Sequence, residues 1–280
     1  MGRQAGGTMS QLSFAEFFNQ ARESDNVIPD VPVSRKKPIA GLMHVDAARK
    51  QFIRLFNDTA RYMRRWDVFC DFITLSASEL DLARIRTPEN IERSRKICKR
   101  YEAADIQKMH ELFILMVCAL DAKFHDFLGA IFMELELGSN GMGQYFTPYS
   151  VQSMMARMMM PGVKEAIRRE GFVTVSDPAS GAAGMIVAYA ECLLEAGYDH
   201  SNHMFGSCID IDPIAADMAF VQLSLLGIPA EVITGNTLTM NLHRVRYTPV
   251  YYWNGFKEKL EFQTRAKAMM KILRGFDMAA

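Results

Sequence analysis

The chain has 280 residues, 49% hydrophobic and 23% charged, enough for one large domain or two small ones with a sizeable core. Lys+Arg and Asp+Glu are equal at 32 each, which excludes a molecule-wide basic field; any contact with nucleic acid has to come from a local patch. The longest apolar runs, such as Leu112 to Leu120, are too short to span a bilayer, and the N-terminus MGRQAGGTMSQLSF lacks an apolar core of signal-peptide length, so a cytoplasmic location without membrane contact is expected.

Residues 1–40 read as a flexible arm or linker, with three prolines between Asn26 and Pro38. An α-helical domain is expected over 41–138. Phe52, Leu55 and Phe56, then Tyr62, Met63, Trp66 and Phe69, recur at helical steps. Arg86-Thr-Pro-Glu-Asn90 reads as a helix start, with Thr87 as cap and Pro88 in the first turn. Ile106 to Leu137 reads as one or two helices. The five cysteines, Cys70, Cys98, Cys118, Cys192 and Cys208, form no CxxC pair, which speaks against structural zinc, any other metal site and a disulfide framework.

Over 139–280 the pattern changes to α/β. A helix is expected from Thr147-Pro148 to about Met160, with Met154, Met155 and Met158 to Met160 as a core-facing stripe. Strand signals at Phe172 to Val175, Met204 to Asp210 and Ala230 to Thr234 alternate with helix signals at Gly184 to Ala196 and Pro213 to Leu226. That βαβαβ order implies parallel strands with right-handed crossovers, and ligands of such sheets bind at the strand C-termini. A helical tail follows Trp253.

Three loops lie at those ends. Asp177-Pro-Ala-Ser-Gly-Ala-Ala-Gly184 is small enough for backbone N–H groups to approach a ligand, or simply for close packing. Asp210 can accept from ribose hydroxyls, while Asp212 before Pro213 suits a helix cap. Asn236, in Thr234-Gly-Asn-Thr-Leu238, can bond to a base amine or ring nitrogen, or merely make a turn.

Gly143-Gln-Tyr-Phe-Thr-Pro148, followed by these three loops in order, resembles the adenine-N6 DNA methyltransferases. The likeness is closest to the modification subunit of type I restriction systems, with the gamma order of motifs, and it covers roughly Gly138 to Leu238. It implies a Rossmann-like S-adenosylmethionine-dependent methyltransferase fold, here preceded by an α-helical N-terminal domain. By that resemblance Phe146, Thr147 and Pro148 close over the methionine end of S-adenosylmethionine. Asp177, Ala179 and Gly181 line its methionine and sulfonium, Asp210 holds the ribose and Asn236 faces the adenine. Two positions depart from the pattern. Asn236 stands where the family usually has Asp, and Ala183 where it often has Gly, so that a methyl group is expected to crowd the ligand.

The family's methyl-transfer motif, Asp/Asn-Pro-Pro-Tyr/Phe, is not found. Its nearest match is Thr248-Pro-Val-Tyr251, and Thr248 and Tyr251 are the only, weak, catalytic candidates. The charged segment Asn241 to Arg246 before them is not expected to form a buried fourth strand. The chain is also shorter than the modification subunits it resembles. The reading is therefore a cofactor-binding relative, catalytically impaired or partner-dependent and linked to DNA modification or restriction. An active adenine-N6 DNA methyltransferase, a non-catalytic antagonist or regulator of restriction, and an RNA or protein methyltransferase on the same fold stay open. DNA contact through basic clusters (Arg61/Arg64/Arg65, Arg93 to Arg100, Lys257 to Arg274) and a protein partner or second copy on the helical domain are the expected associations.

Overall fold

The computed structural model describes residues 44–137 and 145–277; the arm over 1–40 and Gly143 and Gln144 of the first motif lie outside them. The chain divides into two compact units, 1–122 and 123–280.

The first unit holds α1 (Val45–Asp58), α2 (Arg65–Leu80), α3 (Pro88–Cys98) and α4 (Ala103–Ala122). Phe52 and Phe56 of α1 meet Phe72 and Phe69 of α2 edge-on, with centroids 5.7 and 6.2 Å apart. Met109, Leu112 and Met116 of α4 are buried with them. Thr87 caps α3 by accepting from Asn90 N–H at 3.3 Å, with Pro88 in the first turn as read from the sequence. Arg65, grouped by sequence with the surface cations, turns inward. Its guanidinium donates to the carbonyls of Phe56 and Thr59 at 2.9 and 2.7 Å, satisfying the end of α1.

The second unit begins with α5 (Phe127–Glu134), α6 (Tyr149–Met158) and α7 (Val163–Glu170). There follow β1 (Val173–Asp177), α8 (Gly184–Glu195), α9 (His200–His203), β2 (Met204–Asp210), α10 (Pro213–Leu225), β3 (Ala230–Asn236), β4 (Asn241–Tyr247), α11 (Pro249–Trp253) and α12 (Phe256–Asp277). The sheet order is β1-β2-β3-β4, with the first three strands parallel. Among the described residues no strand pairs with the other edge of β1. Asp212 caps α10, its carboxylate accepting from Ile214 N–H at 2.9 Å.

Two expectations are corrected. Asn241 to Arg246 does form a strand, β4, antiparallel to β3 with a bulge between Thr234 and Gly235. Its charges are compatible with that because Arg244 and Arg246 point to one face and share buried Asp217 of α10. Arg246 is only 4% exposed, reaches Asp217 at 2.7 Å and lies over the Phe220 ring. Asn241, Leu242 and His243 stay in solvent, as suits a charged edge strand.

The methionine stripe of α6 does not face the core. Met154, Met155, Met158 and Met159 are exposed, Met158 at 74%. The helix buries Gln152 and Ala156 instead. Small residues let it lie close to α8: a Cβ on Gly184 would stand 2.1 Å from the Gln152 amide oxygen. The face that fits this contact carries Ala156 and Gln152, whose amide fills the space beside Gly184, and the thioethers are left outside.

Candidate functional site

The candidate cofactor cleft is the meeting place of the loops at the ends of β1, β2 and β3. Asp177 closes β1 and accepts from Ala179 N–H at 3.1 Å, which starts the tight turn. Ser180 N–H donates to the carbonyl of Ile209 at 3.0 Å and ties the turn to the end of β2. Gly181, at φ +52°, then directs its N–H onto Asp210 Oδ2 at 2.8 Å. Asp212 N–H donates to Asp210 Oδ1 at 2.9 Å. Both oxygens of Asp210 are thus held by backbone, and each keeps a lone pair for a further donor.

Phe146 lies over this turn. A Cβ on Gly181 would come within 2.7 Å of its ring, so only glycine allows the contact, and the ring also packs on Phe132 at 4.9 Å. Thr147 and Pro148 lead into α6, and Gln152 Nε2 donates to the Thr147 carbonyl at 2.9 Å. Asn236 ends β3. Its side-chain oxygen accepts from Leu238 and Thr239 N–H at 2.9 and 3.1 Å, leaving the amide N–H donors for a ligand. Thr237 Oγ1 donates to the Pro178 carbonyl at 2.7 Å and joins the third loop to the first.

The cleft is acidic. Burial, with a smaller contribution from Asp210, pushes the Asp177 carboxyl above the usual carboxylate range. Among the described residues neither acid has a cationic side-chain partner, which suits a positively charged ligand. S-adenosylmethionine, with its sulfonium and ammonium, fits that charge, and its ribose hydroxyls fit the clamped Asp210.

The structure therefore brings together Phe146, Thr147, Asp177, Ala179, Gly181, Asp210 and Asn236, with Pro148 at the head of α6. The expected crowding by Ala183 takes another form. This residue is 0% exposed, so its methyl is in the interior, and the cost appears in its left-handed backbone at φ +66°.

Thr248 and Tyr251 are not part of the cleft. Thr248 is fully buried at the start of β3, the opposite end of that strand; its hydroxyl accepts from Ala230 N–H at 2.9 Å and donates to Ile228 carbonyl at 2.8 Å. Tyr251 packs with Phe172, Phe205 and Phe256 in an aromatic cluster at that same end.

Sequence reading missed the supports beneath the cleft. Fully buried Gln222 of α10 donates to the Ala182 carbonyl at 2.7 Å and to Asp126 at 2.9 Å, and accepts from Leu128 N–H at 2.7 Å. Asp126 caps α5 through Gly129 N–H, and burial pushes its carboxyl upward. A glutamine inside an apolar helix is the one signal that pointed there.

A parallel βαβαβ sheet with a small-residue turn, a clamped acid at the second strand end and a polar third loop defines a Rossmann-like fold. Residues 130–257, under half of the chain, match the model of the N-6 DNA methylase family. No curated protein matches the chain. Among solved structures, it is similar to a protein from Listeria monocytogenes described as a class I S-adenosylmethionine-dependent methyltransferase. The identity is 14% over 65% of this chain, the TM-score is 0.33, and the match spans 51%, about half, of that protein. So loose a likeness says nothing of substrate. S-adenosylmethionine is the cofactor that the family match and the acidic cleft support together. Among the described residues no helix is long and apolar enough to cross a membrane.

Proposed function

We propose that the second unit binds S-adenosylmethionine in the cleft between Phe146 and Asp210 and serves adenine-N6 methylation of DNA, within a modification or restriction system, without supplying the methyl-transfer groups itself. The observation that carries this is the Asp210 clamp: an acid whose two oxygens are fixed by Gly181 and Asp212 N–H, beside a second, unneutralised acid, Asp177. When bound, the cofactor supplies an electrophilic methyl group on a sulfonium. Asp210 would accept from the ribose, Asp177 would face the cationic end, and the Asn236 amide would donate to a base ring nitrogen, since its oxygen is occupied by the turn.

Impairment or partner dependence is supported by two features. The adenine amine is a weak nucleophile that needs an acceptor and an aromatic wall beside the sulfonium. Thr248 and Tyr251 are committed to the other end of the sheet. The edge of β1 that no strand pairs with among the described residues also offers a row of backbone groups to a strand from elsewhere.

Calorimetry tests the cofactor reading. Wild-type protein should bind S-adenosylmethionine, and Asp210→Ala should weaken binding by about 1.5–3 kcal/mol, the size of a hydrogen bond to a charged group. With its pKa raised, Asp177 takes up a proton at a higher pH than an ordinary carboxylate, so affinity should fall early on acidification. Asp177→Asn should remove that step. No binding at about millimolar ligand, a range that covers weak cofactor sites, would reject the reading.

A further inference from the structure

At the N-terminal end of the sheet, away from the cleft, lies a cavity of about 330 Å³. Its wall is the end of α7 with Gly171 and Phe172, its side is Asn202 of α9, and its roof is one face of α12. On α12, Lys259, Phe262, Gln263, Ala266 and Lys267 recur at three- and four-residue steps, so the helix turns one continuous face to it. Phe172 is buried in the aromatic cluster, 5.4 Å from Phe256, and forms an apolar floor. Phe262 is 70% exposed although it borders the cavity, an aromatic ring without packing of its own.

The rim is charged, and its charges do not cancel. Arg169, Lys259 and Lys267 face the single carboxylate Glu170. That carboxylate is already saturated: Arg169 meets it at 2.7 Å, Gln263 Nε2 at 2.7 Å and Lys267 at 3.5 Å. Arg169 holds it below the usual carboxylate range, so it stays ionised and counts as one negative charge. Among the described residues Lys259 meets the face of the Phe256 ring, 4.3 Å from its Nζ, and no carboxylate. Two positive charges are left over around an apolar hollow of a size that accepts small molecules.

We propose that this cavity is a second ligand site, which takes a small organic anion with an aromatic or branched apolar body and a carboxylate or sulfonate head. The body lies between Phe172, Phe262 and Ala266, and the head is met by Lys259 and Lys267. An uncharged ligand would leave the net positive charge of the rim, Lys259 above all, without a counter-charge, and an inorganic anion would leave the apolar walls wet; an amphiphilic anion answers both. The site shares no residue with the cofactor cleft and does not depend on the function proposed for it.

The probe is 2-naphthoate, titrated into the full-length protein by calorimetry, with 2-naphthamide as its neutral counterpart. Naphthoate should bind saturably at about 0.1–1 mM, a reasonable strength for a ligand of that size. The amide should bind about tenfold more weakly or not at all, and added salt should weaken naphthoate only. Lys259→Glu/Lys267→Glu, which reverses exposed rim charges, should cost about tenfold in affinity. Ala266→Trp should fill the hollow and abolish binding. Asp210→Ala should leave naphthoate affinity unchanged, which separates this site from the cofactor cleft. The proposal is overturned if naphthoate shows no saturation at about 5 mM, a generous limit for so small a ligand. Equal affinity for the amide, or unchanged binding by the folded charge-reversed protein, would overturn it as well.

Discussion

Ala183 occupies a backbone conformation in which glycine is at ease. Its φ of +66° costs an L-residue about 1–2 kcal/mol, against about 0.5–1 kcal/mol for the greater unfolded-state freedom of glycine. Ala183→Gly also gives up a fully buried methyl worth about 0.8 kcal/mol, so urea unfolding should show a change within about 0.5 kcal/mol of zero. Gly181 is a different case. It has φ +52° and a phenyl ring where its Cβ would stand, so Gly181→Ala should destabilise by about 1–3 kcal/mol and lower cofactor affinity. If Gly181→Ala left the unfolding midpoint where it was, the geometry given to this turn would be wrong. Two residues apart in one loop, the positions differ because the methyl of Ala183 is accommodated in the interior and that of an alanine at 181 would meet Phe146.

At the scale of the element, β4 shows how a charged segment becomes a strand. Arg-Val-Arg places two guanidiniums on one face, and Asp217 receives both. Removing the acid takes from both guanidiniums, one of them buried, the carboxylate they share. Asp217→Ala should cost about 3–5 kcal/mol, as for other broken buried ion pairs, and should release β4 before the parallel strands. Hydrogen exchange would show this as early loss of protection over 241–247 in the variant; equal protection across the whole sheet would contradict it. The α6 helix teaches the complementary point. Its apolar periodicity was plain in the sequence, but periodicity names a face and not the side it turns to. Gln152 and Ala156 won the interior because Gly184 leaves space for the Gln152 amide, which is held there by its bond to the Thr147 carbonyl.

At the scale of the whole molecule, the prediction concerns methyl transfer. The protein alone, given labelled S-adenosylmethionine and DNA lacking adenine methylation, should show no incorporation above Asp177→Ala. Incorporation would mean that an acceptor for the adenine amine exists outside the residues considered, and would restore the active-enzyme reading. If calorimetry succeeds and transfer fails, the edge of β1 opposite β2, unpaired among the described residues, is the first place to seek a completing strand.

The alternation of strand and helix signals, the three strand-end loops, the Asp212 and Thr87 caps and the β2 limits Met204–Asp210 were legible in the amino-acid sequence alone. Each depends on near neighbours: turn chemistry, capping, and apolar spacing within one element. What depends on contacts distant along the chain was not. Gln222 under the cleft, Arg65 turned inward, the shared Asp217, and the outward methionines are set by what another element presents across a packed interface. So is the position of Thr248 and Tyr251. Their order in the sequence set them next to the third loop, but β4 runs antiparallel to β3 and carries the chain back to the strand's other end. Local chemistry determined which residues could make a cofactor loop; only the direction of one hairpin decided which of the remaining candidates could reach it.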